Sequence, residues 1–423
     1  MVNACGGNDT VTMLGTNGYV GLIGGSGDVV NNDNSGDYVN LTANTTATIN
    51  GANGGIGMLA SGDNVIASNE TINTVANDAN ETLTGAGDAV IGTANLSMNV
   101  AGGNDTLDLL TAGEYVGLLG GSGYSVTAVG DTIDAAANTS LTVAGGNDSV
   151  GLGGSGDSLG LLGGTGYSVT AIGDTITAVA NTSLNLAGGN DSIGLGGSAD
   201  SLGLTGGAGY LITAIGDTIT ALASTSFDVT GRNDNIALGG SGDSLGLLGG
   251  SGYAVTGIGD TIAALANTSF NLAGGSDTIG LGNANTSLSL LGGVGYVVGN
   301  NNTTDQVNLT GTVTATVNGS GGSVGVDEIA AIYNAVSGRG ITQDEARRSN
   351  WSRSIRAAAS RPNSPTPASP TCWPSFRCWK RRPTASISGC NWRTEGRSSS
   401  PPPPGWPTSC MQLPCSRCRR RRS

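Results

Sequence analysis

From Ala101 to about Gly299, aliphatic residues alternate with Ser, Thr or Gly in short runs, each opened by a pair such as Asn-Asp, Gly-Asp or Gly-Tyr. Between Ala144 and Leu186 five such runs follow one another: NDSVGL from Asn147, GDSLGLL from Gly156, GYSVTAI from Gly166, GDTITAV from Gly173 and NTSLNLA from Asn181. A period of two marks a strand with one buried face. The runs start seven to ten residues apart, which leaves no room for a helix, so the chain must turn after every strand. Gly supplies the positive φ such turns need, and Asn or Asp bonds its own backbone nearby. The alternation predicts Val150, Leu159, Val169, Ile176 and Leu184 as inward positions.

The five runs form one unit, and the unit repeats. Asp105, Asp148, Asp191, Asp234 and Asp277 recur every 43 residues, and Tyr124, Tyr167, Tyr210, Tyr253 and Tyr296 keep the same step. A fixed period of this length is the signature of units that bury their apolar faces against their neighbours. The fold class expected is all-β: a parallel β-solenoid, of β-roll or β-helix type, built from 43-residue repeats. Five strands per unit do not divide into two-strand coils, so the alternation does not assign strands to faces.

Around this region the pattern changes. Residues 1–100 read as degenerate copies with irregular spacing, 101–299 as the regular solenoid and 300–325 as closing strands. In 326–340, Ile329, Ile332, Tyr333 and Val336 fall on one face of a helix, with Asp327 as N-cap and Gly338 as stop. This predicts a short helix that either caps the solenoid or opens a further domain. Residues 341–423 are expected to be a disordered tail. All 12 Pro, all 5 Trp and 16 of the 18 basic residues lie after Gly340, the mixture a GC-rich gene yields when read out of frame.

Charge divides at the same point. Three of the 31 acidic residues lie in the tail, leaving 28 acids against Arg232 and Arg339 in the first 340 residues, a net charge of −26. Phosphate contacts are made by Lys and Arg, so nucleic acid is not an expected partner, and cations are. Cys5 is alone in the body and supports no disulfide framework. Nothing resembles a cleavable signal peptide or a membrane span. No nucleophile, base and acid recur together, and an enzyme is not expected.

The chemical signal is Gly with Asp in turns. Gly189, Asn190, Asp191, Ser192, Ile193 and Gly194 match the last six places of G-G-x-G-x-D-x-U-x, where U is a large aliphatic. Gly146 to Gly151 and Gly103 to Asp108 match the same places, and Gly153 to Gly156 match the first four. On these segments the chain resembles the repeats-in-toxin, or hemolysin-type calcium-binding, family of bacterial exported proteins. The resemblance implies Ca²⁺ held by turn carboxylates and Gly carbonyls of successive coils, a hard ion taking six to eight oxygens. It points to Asp105, Asp148, Asp157, Asp191, Asp200, Asp243 and Asp277 as metal ligands, with Asp234 weakened by Arg232 in place of a turn Gly. The metal is expected once per repeat, near Asp148 and Asp157. Without a metal, these residues would be turn formers that solubilise an uncharged surface.

The resemblance further implies export without a cleaved signal peptide and a secreted or cell-surface location. The function expected is a calcium-binding structural or adhesin-type element meeting cell-surface or matrix components. Alternatives are the repeat segment of a secreted enzyme or toxin whose active domain lies outside this chain, and a carbohydrate-binding solenoid using the repeated Tyr residues. An open solenoid end is also an unpaired edge that can template self-association.

Overall fold

The computed structural model describes residues 1–326, apart from 33 and 43, together with the backbone of 332–336. Within them the chain is a parallel β-solenoid of about 18 coils, built from 35 strands and no helix. Most strands pair in parallel with the second strand after them, and the long strands that run through a corner, such as Tyr115–Val129 and Ser244–Ile258, pair with the next strand as well. Ser158–Leu161 stacks on Thr175–Val179 with Leu159 beside Ile176, and that strand stacks on Ser192–Gly196 with Ile176 beside Ile193. The strands between them, Gly164–Ile172 and Thr182–Gly189, pair on the opposite face, with Tyr167 beside Leu184. Two strands therefore make a coil, and in the regular repeats paired residues lie 17 to 19 positions apart.

This arrangement resolves the odd number of strands in a unit. Five strands fill two and a half coils, so each 43-residue copy enters on the face opposite to the copy before it. Asp148 and Asp191 are equivalent in sequence but lie on opposite faces, and two copies are needed to return to the same face. The repeat seen in the sequence is thus half of the structural period.

The core is the space between the two faces. Val150, Leu159, Val169, Ile176 and Leu184 are all buried, as the alternation predicts. Burial of each such side chain contributes about 1.5 to 3 kcal/mol, and stacking lets the strands of inner coils bond a coil on either side. The five repeated Tyr rings are buried too, each hydroxyl donating to a Gly carbonyl four residues earlier, as from Tyr167 to Gly163 at 2.7 Å. The degenerate region 1–100 stacks in the same way, and its pairing runs on into the regular repeats through Glu81–Ala86 against Ser97–Gly103. Gln306–Asn318 and Ser323–Val326 continue the stack.

The helix expected over 326–340 is not what the structure shows where it is described. Ile332–Val336 is a strand paired in register with Thr314–Asn318. An isolated helix this short is marginal in water, whereas Thr314–Asn318 offers a row of backbone groups to pair. The remaining residues of 326–340, and the tail 341–423, lie outside the described residues.

Corners set the glycine pattern. A Cβ on Gly188, where φ is +137°, would lie 1.6 Å from the carbonyl oxygen of Ala171 in the preceding coil. Gly188→Ala must therefore separate two coils or strain the corner. The expected cost is on the order of 2 to 3 kcal/mol, read as a lower melting temperature and earlier proteolytic cleavage in the full chain; an unchanged melt would contradict the close approach.

Candidate functional site

At each corner one residue adopts the left-handed conformation and the next points into the solenoid. Asn147, Asn190 and Asn233, at φ of 58° to 60°, precede Asp148, Asp191 and Asp234; Gly156, Gly166 and Gly173, near 80°, precede Asp157, Tyr167 and Asp174. Through the regular repeats the inward residue is Asp, Thr or Tyr, with Glu114 in one place. Stacked coil on coil, these residues form two columns, one per face, and the regular part of each reads Thr, Asp, Asp, Asp, Tyr. One column runs Thr139, Asp157, Asp174, Asp191, Tyr210 and then Thr225, Asp243, Asp260, Asp277, Tyr296. The other carries Asp131, Asp148 and Tyr167, followed by Thr182, Asp200, Asp217, Asp234 and Tyr253.

Backbone amides join the carboxylates into ladders. The Thr139 N–H donates to Asp157 Oδ1 at 2.7 Å, the Asp157 N–H to Asp174 Oδ1 at 2.9 Å, and the Asp174 N–H to Asp191 Oδ1 at 3.0 Å. The same chain of donors runs through Thr182, Asp200, Asp217 and Asp234. It recurs through Thr225, Asp243, Asp260 and Asp277, and earlier through Glu70, Asp88 and Asp105 and through Glu114, Asp131 and Asp148. A left-handed corner interrupts the regular strand ladder and turns an N–H inward, where an unmade bond costs about 1 to 3 kcal/mol. The carboxylate of the next coil supplies the acceptor.

This placement inverts the expected electrostatics. Of 25 acidic side chains among the described residues, 21 are buried; only Asp9, Asp108, Asp134 and Asp228 are not. The acids do not solubilise the surface: they line the inside of the corners. Each of Asp105, Asp148, Asp157, Asp191, Asp200, Asp243 and Asp277 is at most 1% exposed. Each also has its second oxygen, Oδ2, buried without a hydrogen-bond partner. Burial raises the carboxyl pKa of all seven above the usual aspartate range, against the lowering effect of the backbone N–H donors.

Three sequence expectations need correction. Asp148 and Asp157 do not share a site, because successive strands lie on opposite faces; Asp157 meets Asp191 through Asp174, and Asp148 meets Asp131. Arg232 is exposed and pairs beside Ile215, leaving Asp234 bonded to the Asp217 N–H at the same 3.0 Å as its counterparts. The Tyr rings cannot form a carbohydrate platform, since all five are buried; burial and the adjacent Asp push Tyr124, Tyr167, Tyr253 and Tyr296 to about 12.

The middle members Asp131, Asp174, Asp217 and Asp260 were missed because their Gly-Asp-Thr segments lack the longer motif. Their signal was the left-handed Gly before an inward Asp. Among the described residues no three acidic, Cys or His side chains converge to hold a metal by themselves. The ladders offer instead a row of single unpaired oxygens, one coil apart.

No family model and no curated protein matches the chain. Among solved structures it is similar to an alginate lyase in complex with G6, at 9% identity over 78% of this chain and 82% of that one, with a TM-score of 0.13. It is also similar to the A-module of an Azotobacter vinelandii mannuronan C-5 epimerase, at 11% identity over 76% and 91%, with a TM-score of 0.12. Likenesses this weak carry no argument.

Burial raises Asp63 and Asp88 to about 6 and Glu81 to about 8. Groups raised on folding contribute stability in full below their unfolded values and lose it as pH climbs through the folded ones. With divalent cations chelated, the melting temperature is expected to fall between pH 5 and pH 8; a flat or rising profile would contradict the buried-acid arrangement. Tyr253→Phe removes the hydroxyl that donates to Gly249 at 2.7 Å and is expected to cost about 1 kcal/mol in a denaturant melt, leaving the circular dichroism unchanged.

Proposed function

We propose that this chain is a non-enzymatic, calcium-stabilised solenoid, the structural or adhesin-type repeat segment of an exported bacterial protein. The carrying observation is the set of buried carboxylate oxygens without partners. A buried anion is tolerated when paired or bound to metal, and the body has almost no cationic side chains to pair with it. The two-strand coil supports the repeats-in-toxin resemblance: paired residues 17 to 19 apart are what two nine-residue units per coil produce.

On this reading Asp105, Asp148, Asp157, Asp191, Asp200, Asp243 and Asp277 give Ca²⁺ their free oxygens, with Asp234 as an eighth equivalent. Corner carbonyls and water complete the shell, since no side-chain cluster does so alone. The ion neutralises the ladders and ties successive coils together. The exposed strand positions of the solenoid, mostly Ser, Thr, Gly and Asn, suit spacing or display at a cell surface or in a matrix. The uncleaved export route and the surface location belong to the same proposal, with cell-surface or matrix components as partners.

The test is a calcium titration of the full chain at pH 7.5, followed by circular dichroism and thermal melting. Millimolar Ca²⁺ is expected to raise the melting temperature well above that in chelator, with Mg²⁺ less effective because it demands a smaller octahedral shell. Identical melts in Ca²⁺ and chelator would reject the structural calcium role.

A further inference from the structure

Asp131, Asp174, Asp217 and Asp260 occupy the same position in successive repeats, but one of them has an oxygen to spare. The first three follow Ala128, Ala171 and Ala214 by three residues. In each of these, Oδ2 accepts the N–H two residues back, from Val129 and Ile172 at 2.9 Å and from Ile215 at 2.8 Å. Oδ1 accepts the amide of the preceding coil, so both oxygens are taken.

Asp260 follows Gly257 instead. Its Oδ1 accepts the Asp243 N–H at 3.0 Å, as in the other ladders. Its Oδ2, however, has no partner, although the residue is only 2% exposed. A Cβ on Gly257 would stand 2.5 Å from that oxygen, so the carboxylate occupies space that the Ala methyl denies to its three counterparts. Gly85 and Asp88 repeat the relation: a Cβ would lie 2.8 Å from Asp88 Oδ2, which is also buried without a partner.

Spacing decides what the extra oxygen can do. Calcium holds its oxygens at about 2.3 to 2.6 Å, so two ligands on opposite sides of one ion stand about 5 Å apart. Adjacent coils are about 4.8 Å apart, and alternate coils about 9.6 Å. In the Asp157 to Asp191 ladder the free oxygens are on alternate coils, with the fully bonded Asp174 between them. The Asp200 to Asp234 ladder has the same gap at Asp217. An ion there meets one free carboxylate oxygen. Asp243, Asp260 and Asp277 instead offer one on every coil, and Glu70, Asp88 and Asp105 do likewise.

We infer that Asp260 is a divalent-cation ligand, and that the rows Asp243, Asp260, Asp277 and Glu70, Asp88, Asp105 each hold calcium between carboxylates of adjacent coils, where the other ladders supply one carboxylate per ion. Two carboxylates on one ion bind it more tightly than one, because ligand charge sets calcium affinity. No cluster of three acids is required. Gly257 is the positioning residue: it frees Asp260 where Ala closes Asp174. The inference rests on the calcium reading and ranks its sites, dividing the solenoid into two tight rows and a series of weaker ones.

The test is calorimetric titration of the metal-stripped full chain with CaCl₂ at pH 7.5. The wild type is expected to show a tight class of ions, at least about tenfold stronger than the rest. Gly257 does not adopt positive φ, so Gly257→Ala suits the backbone. It is expected to lose the tight ions at Asp260, keep those at Asp88 and retain its melting temperature in chelator. Ala171→Gly, the converse change, is expected to add tight ions by freeing Asp174 between Asp157 and Asp191. If the wild type and Gly257→Ala take up calcium identically, the inference is overturned and the calcium reading stands. Should neither take up calcium, the calcium reading itself fails and carries the inference with it. Should Gly257→Ala not fold, Ala171→Gly decides, and a titration unchanged from wild type overturns the inference.

Discussion

One constraint governs the molecule: a coil of two short strands must turn through a left-handed corner and still satisfy the amide it turns inward. In a helix or a flat sheet the backbone answers its own demand. Here the answer comes from the following coil, as a carboxylate oxygen about 3 Å from the corner amide. Each Asp therefore bonds coil to coil at the point where the strand ladder lapses. The aliphatic core holds the two faces together; the Asp columns keep corner above corner.

The same device explains the composition. Gly and Asn are abundant because nearly every corner needs positive φ, and at Gly188 because a Cβ would strike the coil beneath. Acids are abundant and bases scarce because the carboxylates serve as acceptors for amides, a task no cation can share. Among the described residues the surface carries few charges and is lined by hydroxyls, small residues and recurring exposed aliphatics such as Val129, Ile172, Ile215 and Ile258. A chain that looks strongly anionic on paper thus keeps most of its acids indoors, where each must meet an amide, a proton or a metal ion.

Much of this fold was legible in the alternation. Period-two runs with Gly or Asn between them sufficed for the strands and for inward positions such as Leu159 and Ile176, because burial on one face writes itself into every second residue. The faces were not legible. That five strands make two and a half coils follows from pairing between strands two apart, a long-range choice that local pattern does not encode. The site suffered accordingly: Asp148 and Asp157 are neighbours in sequence but are separated by the core, while Asp157, Asp174 and Asp191 are distant in sequence and stacked in space. Ile332 to Val336 shows the opposite failure, where a sound helical spacing yields to an available sheet edge. The motif search found the outer aspartates and passed over Asp174, although its corner geometry is the same.

The account stands or falls on the charge state of the buried acids. The most direct measurement is proton exchange on unfolding: the full chain, unbuffered, in chelator at pH 7, is mixed with neutral denaturant while the pH is followed. Carboxyls whose pKa is raised by burial give up protons when exposed to water, so unfolding should release protons and the solution should acidify. No release, or net uptake, would show that the ladders are fully ionised in the native protein and would contradict the account.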